Sequence, residues 1–367
     1  MKVEREIAGL ALPFAAGITI SVYAWSLFSD NTYLWTSASF ITIAISVAVL
    51  SGNAAQKLKH FQTWSMIICA AAAAGCLCGF TSEIMNIGRT ETRHWMEAAA
   101  GEAIKTAIDI IPFKDKTTSA IIKALITGER SGIPPDITAA FRDSGASHIL
   151  ALSGLHLGMI YGAVGKLTAI LGSSVPAQRT RSLISIMLCG LYTLATGAGP
   201  SIVRAFIFIL LGETAGLTGR YRSTGSILFS ALILQLAISP QSIGSVGFQL
   251  SYAAMAGIAF IYPKLRDIWP EERRVYMRCL GRIWNSAAIS IACQLTTGPL
   301  AYAYFGTLPK YFLMTNLIAV PLTGIIIPAS LLTLVLEICG ICPAVLIEAT
   351  ETLVSILRFS LENIASM

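Results

Sequence analysis

The sequence predicts an all-α, polytopic membrane protein, a helical bundle of about eleven transmembrane segments, some of them broken or re-entrant. Three observations predict it. Of 367 residues, 54% are hydrophobic and 13% charged, whereas soluble domains carry about 25% charged residues. Apolar runs about 20 residues long recur along the chain, each long enough to cross a bilayer. The basic residues gather in alternate short loops, the mark of a fixed orientation.

The apolar segments fall near 7–28, 33–50, 64–86, 147–171, 181–198, 201–218, 224–239, 243–262, 283–305, 312–336 and 341–360. The first reads as a span, and no cleavable signal peptide is read ahead of it. Lys2 and Arg5 precede it, and Lys57 and Lys59 lie between the second and third. Arg179 and Arg181 precede the fifth, Arg220 and Arg222 follow the sixth, and Lys264, Arg266, Arg273, Arg274, Arg278 and Arg282 follow the eighth. A cytoplasmic N-terminus places all of these loops on one side. Orientation explains the net charge of +6 without any need for a polyanionic partner.

Three parts follow: N-terminal transmembrane helices over 1–87, an extracytoplasmic helical loop over 88–145, and a transmembrane domain over 146–367. The long loop is the one extended polar stretch. Its apolar residues from Trp95 to Ile111 recur at helical spacing and predict an amphipathic helix ending before Pro112. Residues 117–129 and 135–143 predict two short helices, lying on the outer membrane surface or packed against the bundle.

Several chemistries are absent. The four histidines His60, His94, His148 and His156 form no clustered zinc motif. No GxxxxGK[ST] loop is present, so transport against a gradient draws its energy from a partner or an ion. The eight cysteines sit mostly in apolar runs as small hydrophobes. Cys339 and Cys342 have CxxC spacing, with no second pair to complete a metal site. No cofactor is expected.

The stretch SHILALSGLHLGMIYG (147–162) is apolar, yet it holds two histidines and three glycines. Gly154, Gly158 and Gly162 are four apart and share one helix face, where small residues let a neighbour approach. Ser153 and His156 share another face. Arg204 and Glu213 interrupt the sixth segment; an intramembrane ionisable group faces the bundle interior by default. Gln249, Ser251 and Tyr252 interrupt the eighth, where Gly244 and Gly247 permit a broken start. Thr296, Thr297, Gly298 and Pro299 predict a kink in the ninth, and Asn316 falls inside the tenth. Tyr302, Tyr304 and Tyr311 suit an interfacial belt.

At about 1.5 Å per residue, Ser153, His156, Arg204, Gln249, Ser251, Thr297 and Asn316 fall roughly 4–14 Å below the outer surface. A shared polar layer on five spans predicts a water-accessible cavity opening outward. Helix-packing glue accounts for any one of these groups alone.

The segment AFRDSGASHILALSGLHLGMIYG, followed in order by PSIVRAF, SPQSIGSVGFQLSYAA and YFGTLP…NLIAVPL, resembles the ComEC competence-protein family. The likeness covers about 133–328. It implies a non-enzymatic channel of the bacterial cytoplasmic (inner) membrane that imports single-stranded DNA during transformation. It implies an outer DNA receptor and a cytoplasmic helicase-like motor as partners, with the lipid bilayer as surroundings. The residues lining the passage are then His148, Ser153, His156, Arg204, Glu213, Gln249, Ser251, Tyr252, Thr297 and Asn316. A wet, non-acidic conduit suits such a strand, and Lys123, Arg130 and Arg142 of the outer loop are candidate phosphate collectors. The chain departs from the family by reading helical where many members carry an OB fold. It also lacks the histidines of a metallo-β-lactamase-like domain, so any nuclease activity is expected from a separate nuclease or from a part absent from this chain.

Two other readings stay open. One is a secondary transporter for a small anionic solute, which broken helices and a polar site also suit. The other is an intramembrane hydrolase with Ser153 as nucleophile and His156 as base, although such pairs usually come from separate elements with a third orienting group.

Overall fold

The computed structural model describes residues 2–23, 39, 42, 43, 46, 60–85, 106, 108–219, 223–269 and 275–367. Among them are helices and turns and no strand. The helices are α1 (Lys2–Tyr23), α2 (His60–Met85), α3 (Lys116–Thr127), α4 (Pro135–Asp143), α5 (Ser147–Leu150), α6 (Gly154–Thr168) and α7 (Val175–Ala195). There follow α8 (Pro200–Leu217), α9 (Thr224–Ile238), α10 (Val246–Ala256), α11 (Tyr262–Arg266), α12 (Val275–Phe305), α13 (Phe312–Ile338) and α14 (Ala344–Ala365).

Their ends follow the local sequence. Proline opens α8 and α4, where its missing N–H costs nothing. Asp115 caps α3 by accepting the Thr117 N–H at 2.9 Å, and Gly128 ends it in the left-handed region at φ 81°. Pro240–Gly244 form a 3₁₀ turn, and Ser245 leaves the helical region before α10 begins. A π-turn over Gly257–Ile261 joins α10 to α11.

Among the described residues five helical stretches are long and apolar enough to cross a membrane: Val3–Tyr23, Gly154–Leu171, Pro200–Leu217, Val246–Arg266 and Phe312–Ile338. Ile67–Gly79 and Thr224–Ile238 are apolar but shorter. The expected segment near 33–50 lies almost wholly outside the described residues. Three helices that match expected spans fall short on composition. The first turns of α7 carry Gln178, Arg179, Arg181 and Ser182, the middle of α12 carries Gln294, Thr296, Thr297 and Pro299, and α14 carries Glu348, Glu351, Arg358 and Glu362. On α12, Pro299 falls inside one helical stretch.

The chain divides into two units, Met1–Glu91 with Gly219–Tyr252, and Thr92–Thr218 with Ala253–Met367. In the first, α1 and α2 meet backbone to backbone. Gly17 lies against the Ala72 carbonyl, Gly75 against the Phe14 carbonyl and Gly79 against Ser21, so a Cβ at any of the three would collide. The Cys76 thiol donates to the Gly17 carbonyl at 3.2 Å. Phe14, Ile18, Leu236 and Phe248 form the apolar core of this unit.

In the second unit the segment after residue 108 is part of the bundle. Ile108, Ile111, Ile121, Ile122, Leu125, Ile126, Ile137 and Phe141 share one core with residues of α6, α7, α13 and α14. Each such side chain contributes about 1.5–3 kcal/mol on burial. Three polar ties reinforce the packing. The Tyr192 hydroxyl donates to the Ile126 carbonyl at 2.7 Å, the Thr315 hydroxyl to the Ser144 carbonyl at 2.6 Å, and the Arg130 Nε–H to the Leu150 carbonyl at 3.3 Å. The helices expected at 117–129 and 135–143 are α3 and α4, packed against the bundle. The amphipathic helix expected from Trp95 lies mostly outside the described residues; its end, Ile108 and Ile111, is buried.

Lys114 and Asp115 sit beside the polar face of α14. Both backbone N–H groups donate to the Glu351 carboxylate, the Lys114 ammonium pairs with Glu348 at 3.1 Å, and Arg358 pairs with Asp115 at 3.4 Å. The charges of α14 thus anchor the entry to α3, which is why this helix tolerates four of them. Its other face buries Val354, Leu357, Leu361 and Ile364.

Candidate membrane-embedded polar site

The stretch 147–171, expected as one continuous helix, is broken. α5 ends at Leu150, Ala151 and Ser153 adopt extended backbone, and α6 starts afresh at Gly154. The break follows from the residues. Ser153 is a favoured N-cap, and His156 three positions on supplies the returning contact of a capping box. The Ser153 N–H donates to His156 Nδ1 at 3.0 Å, and Ser153 Oγ lies 3.3 Å from the same nitrogen.

That bond has a chemical consequence. A nitrogen that accepts carries no proton, so the neutral ring holds its proton on Nε2. His156 is fully buried, and its Nε2 has no hydrogen-bond partner in good geometry among the described residues. The Ile149 backbone also acts on the ring. Nδ1 is engaged by the backbone and has no second lone pair for the Ser153 hydroxyl, so the pair lacks the geometry of a nucleophile and its base.

α8 crosses α6 at this new helix start. A Cβ on Gly154 would lie 3.0 Å from the Ala205 Cβ, so any larger residue there would have to push α8 back by a few tenths of an ångström. At Gly158 and Gly162 a Cβ would meet no described atom within 4 Å. Arg204, one residue before Ala205, is only 4% exposed. About two and a half turns further along α8, Glu213 is also buried. Its carboxylate accepts from the Tyr161 hydroxyl of α6 and the Ser182 hydroxyl of α7. One carboxylate thereby ties three helices, and hydrogen bonds to a charged group contribute about 1.5–3 kcal/mol each.

Neither Tyr161 nor Ser182 was singled out from sequence. The signal was present in principle: a carboxylate in an apolar helix must find donors, and these are hydroxyls on the two preceding apolar helices.

The remaining candidates are placed as follows. His148 is exposed, with Nδ1 3.1 Å from the Gly145 carbonyl. The Thr297 hydroxyl donates to the Cys293 carbonyl of its own helix at 2.8 Å. Asn316 Oδ1 is buried without a hydrogen-bond partner among the described residues. Gln249, Ser251 and Tyr252 belong to the first unit. There the Gln249 amide donates to the Ile243 carbonyl at 3.0 Å, and the Tyr252 hydroxyl to Gln235 Oε1 at 3.1 Å. Ser251 is half-buried. Tyr302 and Tyr304 are exposed and Tyr311 is half-buried. Each expected phosphate collector has a protein partner: Lys123 pairs with Asp109, Arg142 with Asp143, and Arg130 holds the Leu150 carbonyl.

Among the described residues no three His, Cys, Asp or Glu side chains gather as metal ligands. Cys339 and Cys342 are both free thiols.

Comparison with known proteins places this bundle in a family. A profile described as "Competence protein" matches residues 125–367, which begins within α3 and ends with α14. The chain is 24% identical over 212 residues to the ComE operon protein 3 of Bacillus subtilis, covering 58% of this chain and 24% of that one. It is 25% identical over 299 residues to the uncharacterized protein YcaI of Escherichia coli, covering 76% and 38%. It is 24% identical over 246 residues to the competence protein ComA of Neisseria gonorrhoeae, covering 66% and 32%. The chain therefore spans between about a quarter and two fifths of these relatives. No solved structure matches it. With two thirds of its length matched by the profile, the chain belongs to the competence protein family.

Proposed function

We propose that the chain is the membrane conduit through which single-stranded DNA enters the cytoplasm during transformation. The observation that carries this reading is the match of the competence profile to residues 125–367, which include the α5–α6 break. Supporting it, that bundle buries His156, Arg204 and Glu213 on two helices that cross at Gly154. Intramembrane polar groups of this kind mark substrate paths.

On this reading about eleven spans cross the inner membrane, with the N-terminus in the cytoplasm. The chain does no chemistry on its substrate. An outer receptor delivers the DNA, a cytoplasmic helicase-like motor draws it in, and a separate nuclease removes the second strand. Deleting the gene abolishes recovery of internalised DNA while DNA still binds outside the cell. Normal internalisation in the deletion strain refutes the reading. With the chain present at its normal level in the membrane, Arg204→Ala and His156→Ala lower uptake; unchanged uptake removes both residues from the path.

One observation favours a second reading, a secondary transporter for a small anion. The break at Ala151–Ser153 exposes a helix start within the apolar region, as such transporters use to hold anionic groups. That reading requires uptake coupled to an ion gradient and no motor.

A further inference from the structure

The second unit holds a cleft of about 420 Å3 on the polar side of α3, within the size range of small-ligand sites. Ile111 and Ala120 give it an apolar floor, and Phe113, half-buried, gives it an aromatic wall. Lys116, Ser119 and Lys123 fall at i, i+3 and i+7 along α3, so their side chains share the face that lines it.

The charges around the cleft are not equivalent. Lys123 Nζ lies 2.5 Å from Asp109 Oδ1. Glu129 Oε1 accepts the Ser131 hydroxyl at 2.7 Å. Next to the cleft, Lys114 is held by Glu348 and Asp115 by Arg358. Among the described residues, Lys116 alone of this group has its ammonium engaged by no ion pair or hydrogen bond. The cleft thus offers one open cation, one flat apolar wall, the Ser119 hydroxyl and two carboxylates already ion-paired or hydrogen-bonded.

We propose that this cleft holds one nucleotide of a single strand, with its phosphate on Lys116, its base against Phe113 and the amino edge of the base towards the Asp109 and Glu129 carboxylates. A bare phosphate would use the cation and leave the aromatic wall idle, and a purely apolar ligand would strand the charged groups. A nucleotide satisfies both. The proposal rests on the reading of the chain as a strand conduit and adds to it a holding point on α3, apart from the buried groups of α6 and α8.

The test uses the full chain purified in lipid nanodiscs and a fluorescent single-stranded oligonucleotide. Deoxyadenosine monophosphate, an abasic sugar phosphate and phosphoethanolamine serve as competitors. The expected order is the nucleotide well ahead of the other two. Phe113→Leu keeps the apolar volume and loses the ring, and binding falls roughly 5- to 100-fold, the range for one stacked base. Lys116→Ala, an exposed change that leaves the fold intact, weakens binding roughly tenfold and lowers the salt slope by about 0.7, the value for one phosphate contact on a single strand. Lys116→Arg restores both. Equal competition by the abasic sugar phosphate or by phosphoethanolamine overturns the proposal, the latter by pointing to a lipid headgroup. Native affinity in both variants overturns it too, and leaves the conduit reading standing; that reading falls only if the deletion strain internalises DNA normally.

Discussion

Two helix pairs, one in each unit, reach close contact by different means. α1 and α2 touch through glycine, with Gly17 against one backbone and Gly75 against the other. α6 and α8 touch through a single glycine, Gly154, and are then held by the Tyr161–Glu213 hydrogen bond, which Ser182 extends to α7. The first contact is close packing with one thiol hydrogen bond, from Cys76 to the Gly17 carbonyl, the means by which helices associate where lipid is as apolar as they are. The second buries ionisable groups, which a helix keeps only where they serve something beyond packing. On the proposed reading, the buried ionisable groups of the second unit serve the passage and the α1–α2 pair is scaffold.

That contrast can be broken at both pairs, beginning with the largest effect. Gly75→Leu forces a side chain into the Phe14 backbone and destabilises the first unit by about 3 kcal/mol, near the top of the range for overpacking. Thermal unfolding in detergent checks it, and wild-type stability would mean that the helices do not touch there. Glu213→Ala leaves the Tyr161 and Ser182 hydroxyls without their acceptor and costs about 2–3 kcal/mol. The same variant should also depress DNA uptake at matched membrane abundance, whereas Gly75→Ala, if it reaches the membrane at equal abundance, should not. Arg358→Ala removes ion pairs to Asp115 and Glu362 on a partly exposed face, so its cost stays below about 1 kcal/mol. Gly158→Ala and Gly162→Ala meet no described neighbour and should be neutral or stabilising by up to about 1 kcal/mol, from helix propensity alone.

These last two variants also bear on what the sequence made legible. The spacing of Gly154, Gly158 and Gly162 reads as a packing stripe, yet only Gly154 has a neighbour at contact distance. Spacing says that residues share a face and does not say whether another helix crosses that face. Conversely, Gly75 and Gly79 lie in an alanine-rich run in which small residues do not stand out, and both sit in tight contact with α1. Helix positions were readable because apolar runs and prolines set them locally, as at α4 and α8. The break before Gly154 was not read, because it depends on the His156 ring turning back to the Ser153 N–H, and hydropathy carries no such signal. The burial of 108–141 was half legible. The periodicity gave α3 and α4, but their partners lie on α14, far along the chain.

The most direct measurement of the central claim is electrical recording of the purified full chain in a planar bilayer, where the applied voltage replaces the motor. The account predicts an ion conductance that single-stranded DNA blocks transiently, with blockades lengthening as the strand lengthens and absent for duplex of equal length. A bilayer that stays closed to ions and DNA, while vesicles holding the same protein accumulate a small anion on an ion gradient, would contradict it.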